Sequence, residues 1–283
     1  MRALVLSGGG SNGAYHVGAI QALLDESNPY DLYCGVSVGA LVAAHMSQYP
    51  DGEEINAVEE LADMFLNIET RDIYKPWFFF GKLQSLFRKS LYNSKPLTKL
   101  VRKNFLPWRT LEANKKLSVG AVSLSSGNYR VFTEAEDCIV KAVVASASFP
   151  IMFSPVDIDD QMWSDGGVRE ITPVDAAIAR GATEIDFIIC TPPSIEQNKA
   201  PGSTISVAMR TLEVLMDEIV QTDVDNLTRM YPGIKFRAWR NKSDIVEDSL
   251  QFNTDEAQEL YLHGYFDVLK NPGGNFTPRR VHT

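Results

Sequence analysis

The chain has 283 residues, of which 45% are hydrophobic and 22% charged, so it can bury a sizeable core and is not disordered. Its formal net charge of −9 argues against nucleic acid as a general partner. Cys34, Cys138 and Cys190 lie far apart and form no C-x-x-C pair. This pattern is typical of buried thiols in a reducing compartment, and not of a disulfide framework or a zinc site.

The first residues read as a strand, without a basic leader and apolar core, so we expect no secretion signal. No apolar run approaches the roughly 18 residues that a membrane-spanning helix needs. We therefore expect a cytoplasmic protein whose contact with membranes is at most peripheral.

A glycine-rich loop follows the first predicted strand, residues 3–6, and a helical pattern follows the loop. Such a loop directs several backbone N–H groups at one point, where they bind a phosphate or an oxyanion. Gly8, Gly10 and Gly13 also match the dinucleotide-binding pattern G-x-G-x-x-G. That function needs an acidic residue at the end of the second strand, and this strand ends in Gly-Val-Ser.

The second predicted strand leads into a G-x-S-x-G motif made of Gly35, Val36, Ser37, Val38 and Gly39. An apolar run before it and helix-forming residues after it give the strand–turn–helix context of a nucleophile elbow. Small residues are needed two positions before and after the serine, and glycine occupies both. The structural alternative is a glycine-rich turn whose serine only caps the helix.

A third motif, Asp165-Gly166-Gly167, ends a short strand that begins near Met162. The glycines leave the carboxylate with little steric cover. Taken alone, the motif predicts no more than an Asp-Gly turn.

Together these motifs resemble the patatin-like phospholipase family. The resemblance rests on residues 8–13, 35–39, 145–150 and 165–167, in this order, and covers about residues 1–195. It implies a lipid acyl hydrolase with a Ser–Asp dyad, in which Ser37 is the nucleophile and Asp165 the base. No two histidines of the chain have the spacing of metal ligands, so we expect no metal site, and we expect no organic cofactor. The oxyanion hole would consist of backbone N–H groups of Gly8, Gly9, Gly10 and Val38.

Residue 12 departs from the family pattern, which usually has Arg or Lys there, whereas this chain has Asn12. The backbone loop should survive this change. A positive charge near the oxyanion or a lipid phosphate is missing, which bears on the preferred headgroup.

The predicted fold class is α/β: a three-layer α/β/α domain over residues 1–270 with a mostly parallel central sheet. Hydrophobic periodicity predicts helices near residues 53–68, 137–147, 205–230 and 254–269 and strands near 116–124, 129–133, 184–190 and 234–239. Residues 271–283 are expected to form a flexible tail.

Residues 69–111 differ from the rest in containing ten Lys or Arg against two acidic residues, interleaved with aromatic residues. Such a segment suits an anionic membrane interface or a lid over a lipid site. Alternatively, it is a helical insertion whose aromatic residues pack on the core while its lysines are solvated. A basic nucleic-acid patch is a third, weaker option.

Ser37, Asp165 and His263 also stand in the chain order of an α/β-hydrolase triad. That fold usually places its serine after several strands, and His263 lies in the middle of a predicted helix. We therefore favour the dyad, acting on phospholipids or other lipid esters at a membrane surface. Alternatives are a serine esterase or thioesterase for soluble esters, or an inert dinucleotide-binding or regulatory module. The sequence specifies neither an activator nor an oligomeric state.

Overall fold

A single eight-stranded sheet forms the centre of the molecule, seen in a computed structural model that describes residues 1–26, 29–77, 88–193, 202–246 and 248–276. The strands are β1 (Arg2–Leu6), β2 (Leu32–Gly35), β3 (Lys116–Ser123), β4 (Tyr129–Thr133), β5 (Val156–Ile158), β6 (Gln161–Asp165), β7 (Glu184–Ile189) and β8 (Lys235–Arg240). Their order is β5-β6-β3-β2-β1-β7-β8, with β4 also paired to β3.

Five neighbouring strands, from β3 to β8 in that order, run parallel, and β4, β5 and β6 are antiparallel additions next to β3. The central parallel strands β1, β2 and β7 are short and mostly apolar because they are buried on both faces, whereas the edge strand β8 is more polar and partly exposed. The predicted α/β class with a mostly parallel sheet is confirmed. Since β1 and β2 are parallel neighbours, the loops after them meet at one edge of the sheet.

Helices cover both faces of the sheet. They are α1 (Gly13–Glu26), α2 (Val38–Met46), α3 (Glu54–Asn67), α4 (Thr70–Ile73), α5 (Lys95–Asn104), α6 (Pro107–Glu112), α7 (Ile139–Ser146), α8 (Val174–Ala179), α9 (Thr204–Met230) and α10 (Thr254–Lys270). Alternate residues of β1 enter two separate cores: Leu4 and Leu6 pack among α1, α2, α3, α7 and α10, whereas Ala3 and Val5 pack towards α8 and α9. This alternation follows from the two-residue period of a strand.

The basic and aromatic insertion consists, in its described part, of α4, a bridge between Lys75 and Asn93, α5 and α6. Phe105 is buried in the core, as the structural alternative predicted, whereas Trp108 is 54% exposed. The aromatic run at 78–80 and Phe87 lie outside the described residues.

The start of the predicted tail differs from expectation. Residues 271–276 hydrogen-bond to β8: the N–H of Asn275 donates to the Ala238 carbonyl at 2.9 Å, and its side-chain oxygen accepts from the Arg240 N–H at 2.7 Å. These bonds hold the segment on the edge strand. Residues 277–283 lie outside the described part of the chain.

Candidate active site

Ser37 lies in the sharp turn between β2 and α2, with φ 56° and ψ −127°. A non-glycine residue in this left-handed region is strained and persists only where its surroundings fix it. Two hydrogen bonds do so: the Ser37 N–H donates to Ser146 Oγ at 3.0 Å, and the Val36 N–H donates to the Leu6 carbonyl at 3.3 Å. The predicted elbow geometry is thus present.

Gly35 and Gly39 allow the close packing around this turn. A Cβ on Gly35 would overlap the backbone of Gly39, and a Cβ on Gly39 would overlap the carbonyl of Leu6. The start of α2 therefore lies directly against β1 and β2, as the need for small residues predicted.

Asp165, the last residue of β6, is fully buried. Its Oδ1 accepts a hydrogen bond from the Gly167 N–H at 2.8 Å. Burial raises the pKa of this carboxyl to about 7, and the facing Ser37 hydroxyl and the Gly167 N–H limit the rise. Its Oδ2 makes no hydrogen bond of regular geometry with any described residue.

The glycines after Asp165 are also required by contacts. A Cβ on Gly166 would press on the backbone of Gly120 in β3, and one on Gly167 would press on the Met216 side chain and Asp165 Oδ1. Gly166 thus lets the carboxylate-bearing turn lie against β3, and Gly167 leaves room for the Met216 side chain of α9.

The end of α7 links the two candidate catalytic residues. Ser146 Oγ donates to the Gly120 carbonyl at 2.6 Å while it accepts from the Ser37 N–H. Two residues later, the Ser148 carbonyl accepts from the Asp165 N–H at 3.1 Å. The 145–150 motif was recognised by resemblance, but its positioning role was not apparent from the sequence, because the partners lie far away in the chain.

The glycine-rich loop approaches Ser37 as predicted, with one correction. The Gly8 N–H donates to the Ile171 carbonyl at 3.1 Å, so it is not available to an oxyanion. The role of Gly8 is steric, because a Cβ there would be squeezed between Ser37 Cβ, at 3.1 Å, and Ile171.

The N–H groups of Gly9, Gly10 and Val38 find no acceptor among the described residues. All three residues line the same cavity as Ser37. Gly9 and Gly10 have φ values of 156° and 58°, in a region that L side chains rarely adopt. These three groups are therefore the available donors beside the serine.

Asn12 stabilises this loop. It is buried, and its side-chain amide donates to the Gly9 carbonyl at 3.0 Å. Gly13 is also required, because a Cβ there would overlap Val38 and Phe65 side chains. Asn12 thus supplies a neutral hydrogen bond to the loop where the family usually has a cation.

Ser37 lines a mostly apolar cavity between the helices. Apolar lining residues lie in or directly after α2, α3, α5 and α7, among them Leu41, Leu61, Phe65, Val101, Phe105 and Val143. Helix α9 contributes Met209, Met216, Arg210 and Asp217. Such a lining binds an apolar chain and leaves the polar groups near the serine to orient it.

None of the described histidines forms a triad with Ser37 and Asp165. His263 is on α10, does not line the cavity, and has its Nδ1 3.3 Å from Asp267. His16 is fully buried in α1, where burial lowers its pKa to about 3. His45 lines the cavity eight residues after Ser37, and burial lowers its pKa as well.

Among the residues that the structure describes, no group of three or more His, Cys, Asp or Glu side chains is placed to hold a metal ion. Within the same ranges, every helix is too short or too polar to traverse a lipid bilayer.

A sheet of this kind, with a serine in a sharp turn after one strand and a glycine-rich loop after its parallel neighbour, is typical of the α/β proteins to which many hydrolases belong. Within that class, the chain belongs to the patatin-like phospholipase family, whose family model matches residues 4–178.

Curated relatives include a viral protein named "Probable lipid hydrolase 463L", from Invertebrate iridescent virus 6. It is 24% identical over 268 residues, which cover 88% of this chain and 92% of the relative. An uncharacterised protein, R571 of Acanthamoeba polyphaga mimivirus, is 28% identical over 178 residues, or 58% of this chain and 57% of that protein.

Two solved structures are similar in fold. VipD from Legionella pneumophila matches 95% of this chain with a TM-score of 0.43 and 14% identity. The type III effector ExoU matches 94% with a TM-score of 0.38 and 15% identity. This chain spans 66% of the VipD chain and 51% of the ExoU chain.

Proposed function

We propose that this protein is a lipid acyl hydrolase of the phospholipase A type, which cleaves fatty-acyl esters with Ser37 and Asp165. The observation that carries the proposal is the position of Ser37. This serine has a strained backbone, lines an apolar cavity and faces the buried carboxyl group of Asp165. Membership of the patatin-like phospholipase family and the name of the viral relative support lipid esters as the substrate class.

In the proposed reaction, ionised Asp165 accepts the proton of the Ser37 hydroxyl through Oδ2. The Ser37 oxygen then attacks the ester carbonyl and forms a tetrahedral oxyanion. Collapse of this intermediate expels the alcohol, which takes the proton from Asp165 and leaves an acyl-serine. Water, deprotonated by the same carboxylate, then attacks the acyl-serine. Collapse of this second tetrahedral intermediate releases the fatty acid, and the Ser37 oxygen takes the proton back from Asp165.

The N–H groups of Gly9, Gly10 and Val38 would stabilise the oxyanion. A preorganised donor of this kind typically contributes about 3 kcal/mol to lowering the barrier. The positive end of the α2 helix dipole points in the same direction and adds to the effect. No side-chain cation is needed for this step, which fits the neutral Asn12 beside the loop.

The apolar cavity would hold the acyl chain. Each methylene removed from water contributes about 0.8 kcal/mol, so a long chain gains more than a short one. We therefore infer that the substrates are lipids, present at a membrane surface, and not small soluble esters.

The test uses a fluorophosphonate probe and three variants. We expect the probe to label Ser37, and Ser37→Ala and Asp165→Asn each to lower ester hydrolysis at least about 1,000-fold. His263→Ala is the control and should keep most of the activity, since this side chain lies outside the cavity. Loss of activity in His263→Ala would favour the triad, and an unlabelled Ser37 would favour an inert binding module.

Product analysis with phospholipid vesicles and a short soluble ester completes the test. Release of free fatty acid from the vesicles by the wild type, and not by Ser37→Ala, supports the lipase. Faster hydrolysis of the short ester than of any lipid would favour a general esterase or thioesterase.

A further inference from the structure

Helix α5 has two opposite faces with different chemistry. Leu97, Leu100 and Val101, together with Asn104, line the cavity that contains Ser37. The other face carries exposed cations at helical spacing, namely Lys95, Lys99, Arg102 and Lys103. One helix thus forms the inner wall of the candidate acyl site and a positively charged outer surface.

The next helix in the chain, α6, begins three residues after α5 ends and carries exposed apolar residues. Trp108 is 54% exposed, Leu111 is 57% exposed, and Leu106, just before the helix, is 37% exposed. Monomeric proteins seldom display such residues together without a partner, and Trp is suited to the boundary between water and lipid.

The charge of this region is opposite to that of the whole chain. Residues 88–112 contain seven Lys or Arg and one acidic residue, Glu112, in a protein whose net charge is −9. A cation cluster concentrated on one side of an acidic protein attracts an anionic surface and orients the protein on it.

We propose that the outer surface of α5 and α6 (Lys95, Lys99, Arg102, Lys103, Leu106, Trp108 and Leu111) docks on a bilayer that contains anionic phospholipid. The cations contact the phosphates, and Trp108 and the two leucines enter the headgroup region. This inference deepens the proposed function, on which it rests for the source of the substrate, because α5 joins the docking surface to the cavity.

The first test measures binding without catalysis. Ser37→Ala protein is sedimented with vesicles of phosphatidylcholine alone or of phosphatidylcholine mixed with phosphatidylglycerol. We expect binding to the mixed vesicles only, and weaker binding as salt is raised. Replacing Lys99, Arg102 and Lys103 by Gln should lower the partition coefficient about 100-fold, since each surface cation contributes about fivefold.

The matched control replaces three exposed lysines elsewhere, Lys141, Lys235 and Lys270, by Gln and changes the net charge equally. It should bind like the parent. Trp108→Ala should weaken binding about tenfold without changing the charge. Equal losses in the control and in the α5 triple variant would show a general charge effect and overturn the proposal.

The second test separates docking from chemistry. In the active protein, the α5 triple variant should hydrolyse a short soluble ester like wild type but lose activity on mixed vesicles. If vesicles bind as expected and no lipid is cleaved, docking stands and the proposed reaction fails. If the protein binds transfer RNA at physiological salt and does not bind vesicles, the surface is a nucleic-acid site, and the docking proposal is overturned.

Discussion

Replacing Asp165 by Asn is expected to stabilise the fold above neutral pH, although it removes the proposed base. Asp165 is fully buried, and its pKa is raised from 3.8 to about 7, mainly because burial disfavours the charged carboxylate. The ionised Asp165 that the proposed reaction needs therefore lowers the free energy of unfolding. Asparagine is similar in shape, keeps an oxygen for the Gly167 N–H and cannot ionise.

The sign and size follow from the pKa difference. The pKa of Asp165 is higher in the folded protein than in the unfolded chain, where it is 3.8. Its contribution to the free energy of unfolding is therefore complete below pH 3.8 and is lost as the pH rises through about 7. A rise from 3.8 to about 7 corresponds to about 4 kcal/mol at high pH. The variant does not recover this whole cost, because burying the polar amide of Asn also costs free energy. We therefore expect Asp165→Asn to raise the free energy of unfolding by about 2–4 kcal/mol near pH 8.

Urea unfolding between about pH 5 and about pH 8 measures this difference. The free energy of unfolding of the wild type should fall relative to Asp165→Asn as the pH rises. Asp157→Asn is the control, because this carboxylate is exposed on β5. A constant difference between wild type and Asp165→Asn over this range would refute the raised pKa.

The raised pKa of Asp165 also predicts how kcat/KM depends on pH. In the proposed reaction only ionised Asp165 accepts the serine proton, so kcat/KM for a short soluble ester should rise about tenfold per pH unit up to about pH 7 and then level off. A flat profile between about pH 5 and about pH 8 would mean that the base titrates at an ordinary carboxyl pKa.

Two further substitutions test the positioning of the serine and the acyl site. Ser146→Ala leaves the buried Ser37 N–H without its acceptor, so we expect a loss of about 1–3 kcal/mol in stability and at least about tenfold in kcat. Ser148→Ala is its control, because that hydroxyl donates to the Val144 carbonyl and not to Ser37 or Asp165; equal kcat losses in both would contradict the positioning role. Val101→Phe narrows the cavity and should slow hydrolysis of long-chain esters at least about tenfold, while hydrolysis of short esters should be unchanged. A thermal melt checks that the variant is folded. An unchanged chain-length preference would show that the acyl chain does not bind beside Val101.

The sequence by itself determined the fold class and the order of the motifs. Short apolar runs followed by glycine-rich turns and helices specify parallel strands, because both signals are local. The elbow is local as well: strand, Gly35-Val-Ser37-Val-Gly39 and helix follow one another within the chain. Neighbouring parallel strands then place the two loops at one edge, so the candidate nucleophile and its anion-binding loop could be predicted together.

Only the tertiary structure decided which backbone N–H groups of the glycine-rich loop after β1 remain without an acceptor. The Gly8 N–H is occupied by the carbonyl of Ile171, 163 residues away along the chain, and no local pattern indicates such a pairing. The links from Ser146 to Ser37 and from Ser148 to Asp165 are of the same kind. The raised pKa of Asp165 also depends on burial by several elements. Local sequence specifies backbone conformation, whereas hydrogen-bond partners and desolvation depend on how distant segments pack.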